Sequence, residues 1–256
     1  MIKAKTNKLP LLDSTYVARV RPVLSYATSL MLIGMLAPIG LCVALINLAL
    51  FRDPRRILFI QERVGLNGRP FMILKFRTMR DLAPDSRCTP GSTDDICRVT
   101  CFGRFLRNTH IDELPQLINV LRGEMELIGP RPEMTSIESW AQARIPGFER
   151  RLVISPGVTG YAQVIQGYAP QEVDAYDRKC ALNIEYLERI SMRTDVWILI
   201  RTCVCVLSGR GWQFEPPAPA STPLESADMP EPEAPPTPRS LAHVVAEEPV
   251  GTGVDS

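Results

Sequence analysis

Residues 22–51 run for 30 positions without an Asp, Glu, Lys or Arg. A run of that length is sufficient for insertion into a bilayer. It is too long for the apolar core of a signal peptide, and no A-x-A cleavage site follows it. Basic residues bracket it. Segment 1–21 is polar to mixed, with Lys3, Lys5, Lys8, Arg19 and Arg21, and Arg52, Arg55 and Arg56 follow the run. Pro38 falls in the middle, where a proline kinks or breaks a helix. The arms 22–37 and 39–51 hold 16 and 13 residues. At 1.5 Å per residue they reach about 24 and 20 Å, short of a hydrocarbon core of about 30 Å. Positive charge at both ends favours keeping both in the cytoplasm. A helix that enters, breaks at Pro38 and leaves by the same face satisfies both constraints. A single tilted span is the simpler alternative, and it would carry residues 52–256 to the far side.

Beyond the apolar run the periodicity changes. Apolar stretches at 57–61 and 71–76 flank Gly65-Leu66-Asn67-Gly68, and Asn-Gly between two such runs predicts a β-hairpin. Leu114, Leu117, Ile118 and Leu121 recur at i, i+3, i+4, i+7 and predict a helix. A short helix is expected over 137–143, ended by Ile145-Pro146-Gly147. Gly157 and Gly160, in Ser155-Pro156-Gly157-Val158-Thr159-Gly160, suggest a close backbone approach, though an ordinary turn has the same look. An amphipathic helix is expected over 171–190, with Val173, Tyr176, Cys180, Ile184 and Leu187 on one face. A second apolar helix over 195–207 carries Trp197, Ile198 and Arg201; at 13 residues it is a packed or interfacial element, too short to span. Residues 81–97 read as a loop. From Gln213 onward ten prolines in 44 residues, few large apolar groups and an acid excess predict disorder.

Charge sharpens this division. The formal net charge is +1, but residues 215–256 hold eight acids and one base, Arg239, which leaves the body with 28 bases, 20 acids and a formal +8. A basic body suits anionic partners such as phosphates, acidic headgroups or nucleic acid. The seven cysteines show no paired framework and fit free thiols in a reducing compartment. Cys88, Cys97, Cys101 and His110 lack the spacing of a zinc knuckle, and Cys203 and Cys205 read as small core residues.

The chemistry concentrates in residues 108–132, NTHIDELPQLINVLRGEMELIGPRP. Asp112 and Glu113 stand just before Pro115. A proline is tolerated in the first turn of a helix but not in its interior, so the helix is expected to start at or near Asp112. Both carboxylates then lie among unpaired N–H groups at the positive end of the dipole. Arg104 and Arg107 are placed in the turn before them, and Gly129-Pro130-Arg131-Pro132 forms a stiff turn holding another arginine. Acids beside a helix N-terminus and arginines can hold a metal–phosphate group between them. Capping acids at an ordinary helix start look the same.

The blocks FIQERVGLNGRPFMILKFRTM, FGRFLRNTHIDELPQLINVLRGEMELIGPRPE and SPGVTGYAQV, in that order behind a proline-broken apolar run, resemble the bacterial sugar transferase family. These are the short monotopic polyprenyl-phosphate phosphoglycosyltransferases, and the resemblance covers about residues 15–212. It implies an enzyme on the cytoplasmic face of a bacterial inner membrane. Such enzymes move a sugar-1-phosphate from a UDP-sugar to polyprenyl (undecaprenyl) phosphate and release UMP, the initiating step of exopolysaccharide, capsule, O-antigen or glycoconjugate synthesis. By position in the motif, Asp112 resembles the family's nucleophile, which takes the phosphosugar as an acyl phosphate, and Glu113 its partner. Mg2+ is the implied cofactor, with Asp112 its ligand. Lys75, Arg77, Arg104, Arg107, Arg131 and Asp195 are carried over as substrate- or phosphate-binding positions, and Pro38 as the membrane break. Membrane lipids are implied partners, a homodimer and downstream glycosyltransferases are candidates, and no nucleic-acid partner is expected.

The expected fold is therefore an α-rich α/β monotopic membrane protein with a re-entrant helix, a small β-hairpin and amphipathic interfacial helices. Its segments are 1–21, a basic N-terminal stretch; 22–51, the membrane helix; 52–212, the catalytic domain; and 213–256, the tail. There are departures from the family pattern. Ala37-Pro38 replaces Ser-Pro at the break, Asn183 stands where many members have Asp, and Gln166-Gly167-Tyr168-Ala169 lacks an arginine found there in many members. The competing class is a non-catalytic membrane adaptor that binds anionic lipid or nucleic acid; an adaptor has no need of paired acids in a basic site.

Overall fold

A computed structural model describes residues 14–81, 98–167 and 170–207. The expectations for the loop at 82–97 and the tail from 213, and those for Cys88, Cys97, Tyr168 and Ala169, lie outside the described residues.

A π-helical turn, Tyr16–Val20, leads into helix α1, Arg21–Phe51. Pro22 sits in its first turn, where a missing N–H costs nothing. Arg52, left-handed at φ 52°, ends it with an N–H bonded to the Leu48 carbonyl. The expectation of two arms is met differently: α1 continues through Pro38 as one helix of 31 residues, about 47 Å long at the usual rise. A proline deletes one hydrogen bond and opens the helix on the side of its ring; it does not end a helix whose other bonds hold. Pro38 is on the exposed side, so any such opening bends α1 around the body.

The burial pattern of α1 is inside out. Its buried residues are Arg21, Ser25, Ser29, Val43 and Asn47, while Val23, Met31, Met35, Leu41 and Leu45 are exposed. A core helix of a soluble domain buries its apolar stripe and shows its polar one. With only 11% of its apolar window buried, α1 is a membrane-type helix, and the chain is a mostly helical protein with that helix at its N-terminal end.

The expected hairpin is present. Strands β1, Leu58–Val64, and β2, Pro70–Phe76, pair antiparallel with Phe59 opposite Lys75. Asn67 and Gly68 turn the corner at φ 53° and 77°. Helix α2, Cys101–Asn108, follows, capped by Thr100, whose hydroxyl accepts from the Gly103 N–H at 2.8 Å. Gly103 lets α2 touch the segment that follows β2: a Cβ there would lie 2.1 Å from the Thr78 carbonyl oxygen. Helix α3, Gln116–Leu121, leads to a short strand β3, Glu126–Ile128, which pairs parallel with β4, Gly157–Thr159. This second sheet was not anticipated, since three-residue strands carry too little alternation to read. The close approach expected at Gly157 and Gly160 is real, because a Cβ on either would lie 2.1 Å from the backbone of Gly129. The remaining helices are α4, Thr135–Gln142; α5, Tyr161–Gln166; α6, Val173–Arg189; and α7, Met192–Leu207.

Helix α1 supplies part of the core at two places. Leu32 and Ile33 pack against a cluster containing Leu117, Leu127, Tyr186 and Ile198. Val43 is buried with Phe76 and Leu106, beside Ile111 and Leu114. Polar ties hold both ends to the same body. At the N-terminal end Arg21 donates to the Ile128 carbonyl and pairs with Glu126 and Asp195, each at 3.3 Å. Towards the C-terminal end Asn47 donates to the carbonyls of Ile57 and Arg77, at 3.1 and 3.0 Å.

Candidate active site

The acid pair does not open a helix as expected. His110 adopts φ 55°, and Ile111–Glu113 form a single 3-10 turn, with α3 starting only at Gln116. Pro115 is the N-cap of α3, so it marks the helix start three residues after Asp112. The stripe is also rotated. Gln116, Leu117, Asn119 and Val120 face inward and Ile118 faces out, because α3 packs on both β2 and α1. Arg104 and Arg107 lie on helix α2, not in a turn.

Three elements converge on the dyad. Strand β2 brings Lys75, whose Nζ is 2.8 Å from Glu113 Oε1. The turn after β3 brings Arg131, whose Nη2 is 2.7 Å from the same oxygen. Helix α2 brings Arg107, whose Nε donates to Thr78 Oγ1 at 3.0 Å. Thr78, buried two residues beyond β2, was not singled out from sequence; the FRTM block was the available signal.

The Arg131 turn is held by its surroundings. Pro130 and Pro132 have no N–H, so the turn cannot brace itself with their amides. Instead the Pro130 carbonyl accepts from Gly157 N at 3.0 Å, that of Arg131 from Arg151 Nη1 at 3.0 Å, that of Pro132 from Arg63 Nη1 at 3.3 Å, and that of Glu133 from Val64 N at 2.9 Å. Arg151 is buried against Phe148 and paired with Glu138. Glu133 is paired with Lys179.

The two acids differ electrostatically. Burial works to raise the Glu113 pKa, but the charges of Arg131 and Lys75 and their hydrogen bonds pull it far below the usual carboxylate range. Asp112 has no ion pair among the described residues. Burial, and then the Glu113 charge, push its pKa up to about 6 against the pull of Lys75, Arg107 and Arg131. Burial lowers the Lys75 pKa, with Glu113 opposing. The turn therefore holds one locked carboxylate and one that changes charge near neutrality, among three cations.

The other expected site residues lie elsewhere. Arg77 pairs with Asp81 at 2.7 Å, and Arg104 is exposed. Asp195 is in a separate buried cluster, where it accepts from Tyr16 and Tyr186 at 2.7 Å each and pairs with Arg21. A shallow open depression on the surface of α7 is lined by Met192, Arg193, Val196, Trp197 and Ile200 and includes no residue of the dyad.

No three His, Cys, Asp or Glu side chains gather for a metal among the described residues, and Cys101 is exposed. Glu113 is committed to two cations, which leaves Asp112 as a single carboxylate. That donor set fits Mg2+, which is commonly held by one or two carboxylates with substrate phosphates completing its shell.

An inside-out helix rooted in a body whose acid pair is set among cations suits membrane association and an anionic group beside the dyad. The sequence matches the family described as "Bacterial sugar transferase" over residues 16–209. It is 38% identical over 225 residues to the UDP-glucose:undecaprenyl-phosphate glucose-1-phosphate transferase of Caulobacter vibrioides, covering 80% of this chain and 82% of that one. It is 34% identical to the UDP-N-acetylgalactosamine-undecaprenyl-phosphate N-acetylgalactosaminephosphotransferase of Aeromonas hydrophila, over 78% of this chain and 47% of that one. To the UDP-glucose:undecaprenyl-phosphate glucose-1-phosphate transferase of Escherichia coli it is also 34% identical, over 66% of this chain and 36% of that one. The chain thus spans most of the Caulobacter relative and less than half of the other two. It belongs to the bacterial sugar transferase family and is an enzyme of the phosphoglycosyltransferase class.

Proposed function

We propose that the chain transfers a sugar-1-phosphate from a UDP-sugar to undecaprenyl phosphate in two steps through Asp112. In the first, an Asp112 carboxylate oxygen attacks the phosphorus attached to the sugar. The bond from that phosphorus to the bridging oxygen breaks, and UMP leaves with the bridging oxygen. In the second, a phosphate oxygen of the lipid attacks the acyl phosphate, forming undecaprenyl-diphospho-sugar and returning the carboxylate. Carboxylates do act as nucleophiles towards phosphorus in this way.

The division between the two acids carries this reading. Glu113 is held ionised between Lys75 and Arg131, while Asp112 is buried without an ion pair among the described residues, and its pKa of about 6 leaves it mostly ionised at neutral pH. A group meant only as a counter-ion would be paired. Lys75, Arg107 and Arg131 face the phosphates and offset the repulsion between two anions. Mg2+, when bound by Asp112 and the diphosphate, would neutralise charge on the leaving phosphate.

The re-entrant topology belongs to the same reading. Both ends of α1 are tied by polar groups to one body, Arg21 at the start and Asn47 near the end. A helix crossing the bilayer would have to leave the body at one end. Helix α7 fits an interfacial role, with Met192, Val196, Trp197 and Ile200 exposed beside Arg193 and Arg201. The body then lies on the cytoplasmic face of the inner membrane, positioned to initiate exopolysaccharide, capsule, O-antigen or glycoconjugate synthesis. A homodimer and downstream glycosyltransferases are its candidate protein partners.

The test is incubation of the full chain with mass-tagged UDP-sugar, without lipid. Sugar phosphate trapped on Asp112, with one UMP released per trapped group, is the expected result. UMP release that requires lipid, with nothing trapped, means that the lipid phosphate attacks directly. For topology, single cysteines placed near Arg19 and Arg55 in a cysteine-free background are expected to label from the same side of the membrane. Labelling from opposite sides restores the single span.

A further inference from the structure

We infer that Asn119 is a positioning residue for the dyad: its side-chain amide sets the register between strand β2, which carries Lys75, and helix α3, whose leading turn carries Glu113. The inference rests on the catalytic reading just given.

Strand β2 pairs with β1 along one edge, and among the described residues no third strand covers the other. In an antiparallel pair, alternate residues turn both backbone groups away from the partner strand. On β2 these include Met72 and Leu74. Leu74 is buried, and its N–H, left bare there, would be unsatisfied. Asn119 meets both residues as a neighbouring strand would. Its Oδ1 accepts from the Leu74 N–H at 3.0 Å, and its Nδ2 donates to the Met72 carbonyl at 2.8 Å. The second Nδ2 proton goes to Glu124 Oε2 at 2.7 Å. The amide has only this orientation, because a flip would set Oδ1 against two acceptors and Nδ2 against a donor. Asn119 is fully buried.

Lys75 follows Leu74 directly, and Glu113 lies six residues before Asn119. One amide thus joins the two elements whose side chains form the 2.8 Å pair beside Asp112. Beside that pair, the two elements meet through apolar packing, Ile73 of β2 against Val120 of α3. Apolar contact is non-directional and permits sliding, whereas two directed hydrogen bonds from one amide to the strand, with Glu124 holding that amide's remaining proton, fix a register.

A double-mutant cycle on the full-length protein, read as UMP release, tests this. Asn119→Ala is expected to lower kcat about tenfold or more, in line with the sensitivity of reactions to ångström-scale misplacement, with a smaller change in KM for the UDP-sugar. In a Lys75→Ala background the same change is expected to cost less than about twofold, because coupled residues are non-additive. Thermal destabilisation by Asn119→Ala is expected to be equal in both backgrounds. Equal kcat losses in both backgrounds, or a folded Asn119→Ala with wild-type kcat, would overturn the inference. Should Asn119→Ala fail to fold, Glu124→Ala takes its place in the cycle, and Glu124→Gln, which keeps an acceptor, is expected to restore kcat. Wild-type protein that releases no UMP would sink the functional reading first, and the inference with it; an active wild type with an additive cycle sinks the inference alone.

Discussion

The cluster at the root of α1 sets one arginine, Arg21, against two carboxylates, Glu126 and Asp195, whereas the cluster before α3 sets Lys75, Arg107 and Arg131 against Asp112 and Glu113. Both are buried, but their charge is balanced in opposite senses. At the root, Tyr16 and Tyr186 complete the hydrogen bonding of Asp195, and burial raises the Glu126 pKa towards the neutral acid. That cluster ties the start of α1 to the body and acts as a latch. At the dyad the cations outnumber the acids, and a further anion would complete the site. Burial alone does not mark a functional group; the sign of the imbalance does.

The strongest way to break this contrast is Asp112→Asn. It is expected to lower UMP release by on the order of 10⁴-fold, as loss of a catalytic nucleophile does. Thermal stability should not fall, because the change removes a charge that burial disfavours. Wild-type activity in this variant would move the nucleophile elsewhere. Next in size, Arg21→Met is expected to lower unfolding free energy by about 3–5 kcal/mol, the range for breaking a buried ion pair on one side. Denaturant titration in detergent measures it, and activity per folded molecule should change far less than in the dyad variant.

A pH series sharpens the comparison. Asp112 must be ionised to attack, and its pKa is raised to about 6, so kcat/KM should decline as pH falls through that value. Lys75 favours the ionised form, so Lys75→Ala should move this acid limb to higher pH. A limb that stays in place would detach Lys75 from Asp112. The smallest effect is expected for Tyr16→Phe, which removes one of two phenol donors to Asp195 and should destabilise by about 1 kcal/mol without shifting the acid limb.

Much of this was legible in the chain because it depends on local rules. The charge-free run, the Asn-Gly hairpin and the amphipathic periodicity of α6 each predict one element. The dyad, Lys75 and Arg131 could be singled out because the motif blocks are distinctive. Three kinds of feature escaped. The start of α3 depends on a left-handed His110, which Pro115 alone does not reveal. The β3–β4 pair is too short to alternate and is made by tertiary contact between Gly129 and Gly157. The role of Asp195 depends on which arginine it meets. Sequence shows an acid opening a helix; only the fold shows Arg21, 174 positions away, beside it.

The two-point attachment of α1 bears on how this protein is assembled. Val43 and Ala44 belong with Phe76 and Leu106, and Leu32 and Ile33 lie against Leu117 and Ile198. The lipid-facing element is thus also a wall of the interior, not a leash that could be cut to free a soluble enzyme. Trimming the chain back to residue 52 would strip two hydrophobic clusters of a side and leave Glu126 and Asp195 without their guanidinium. Docking of α1 and completion of the interior are then one event, and a chain shorn of that helix has no finished core to fall back on.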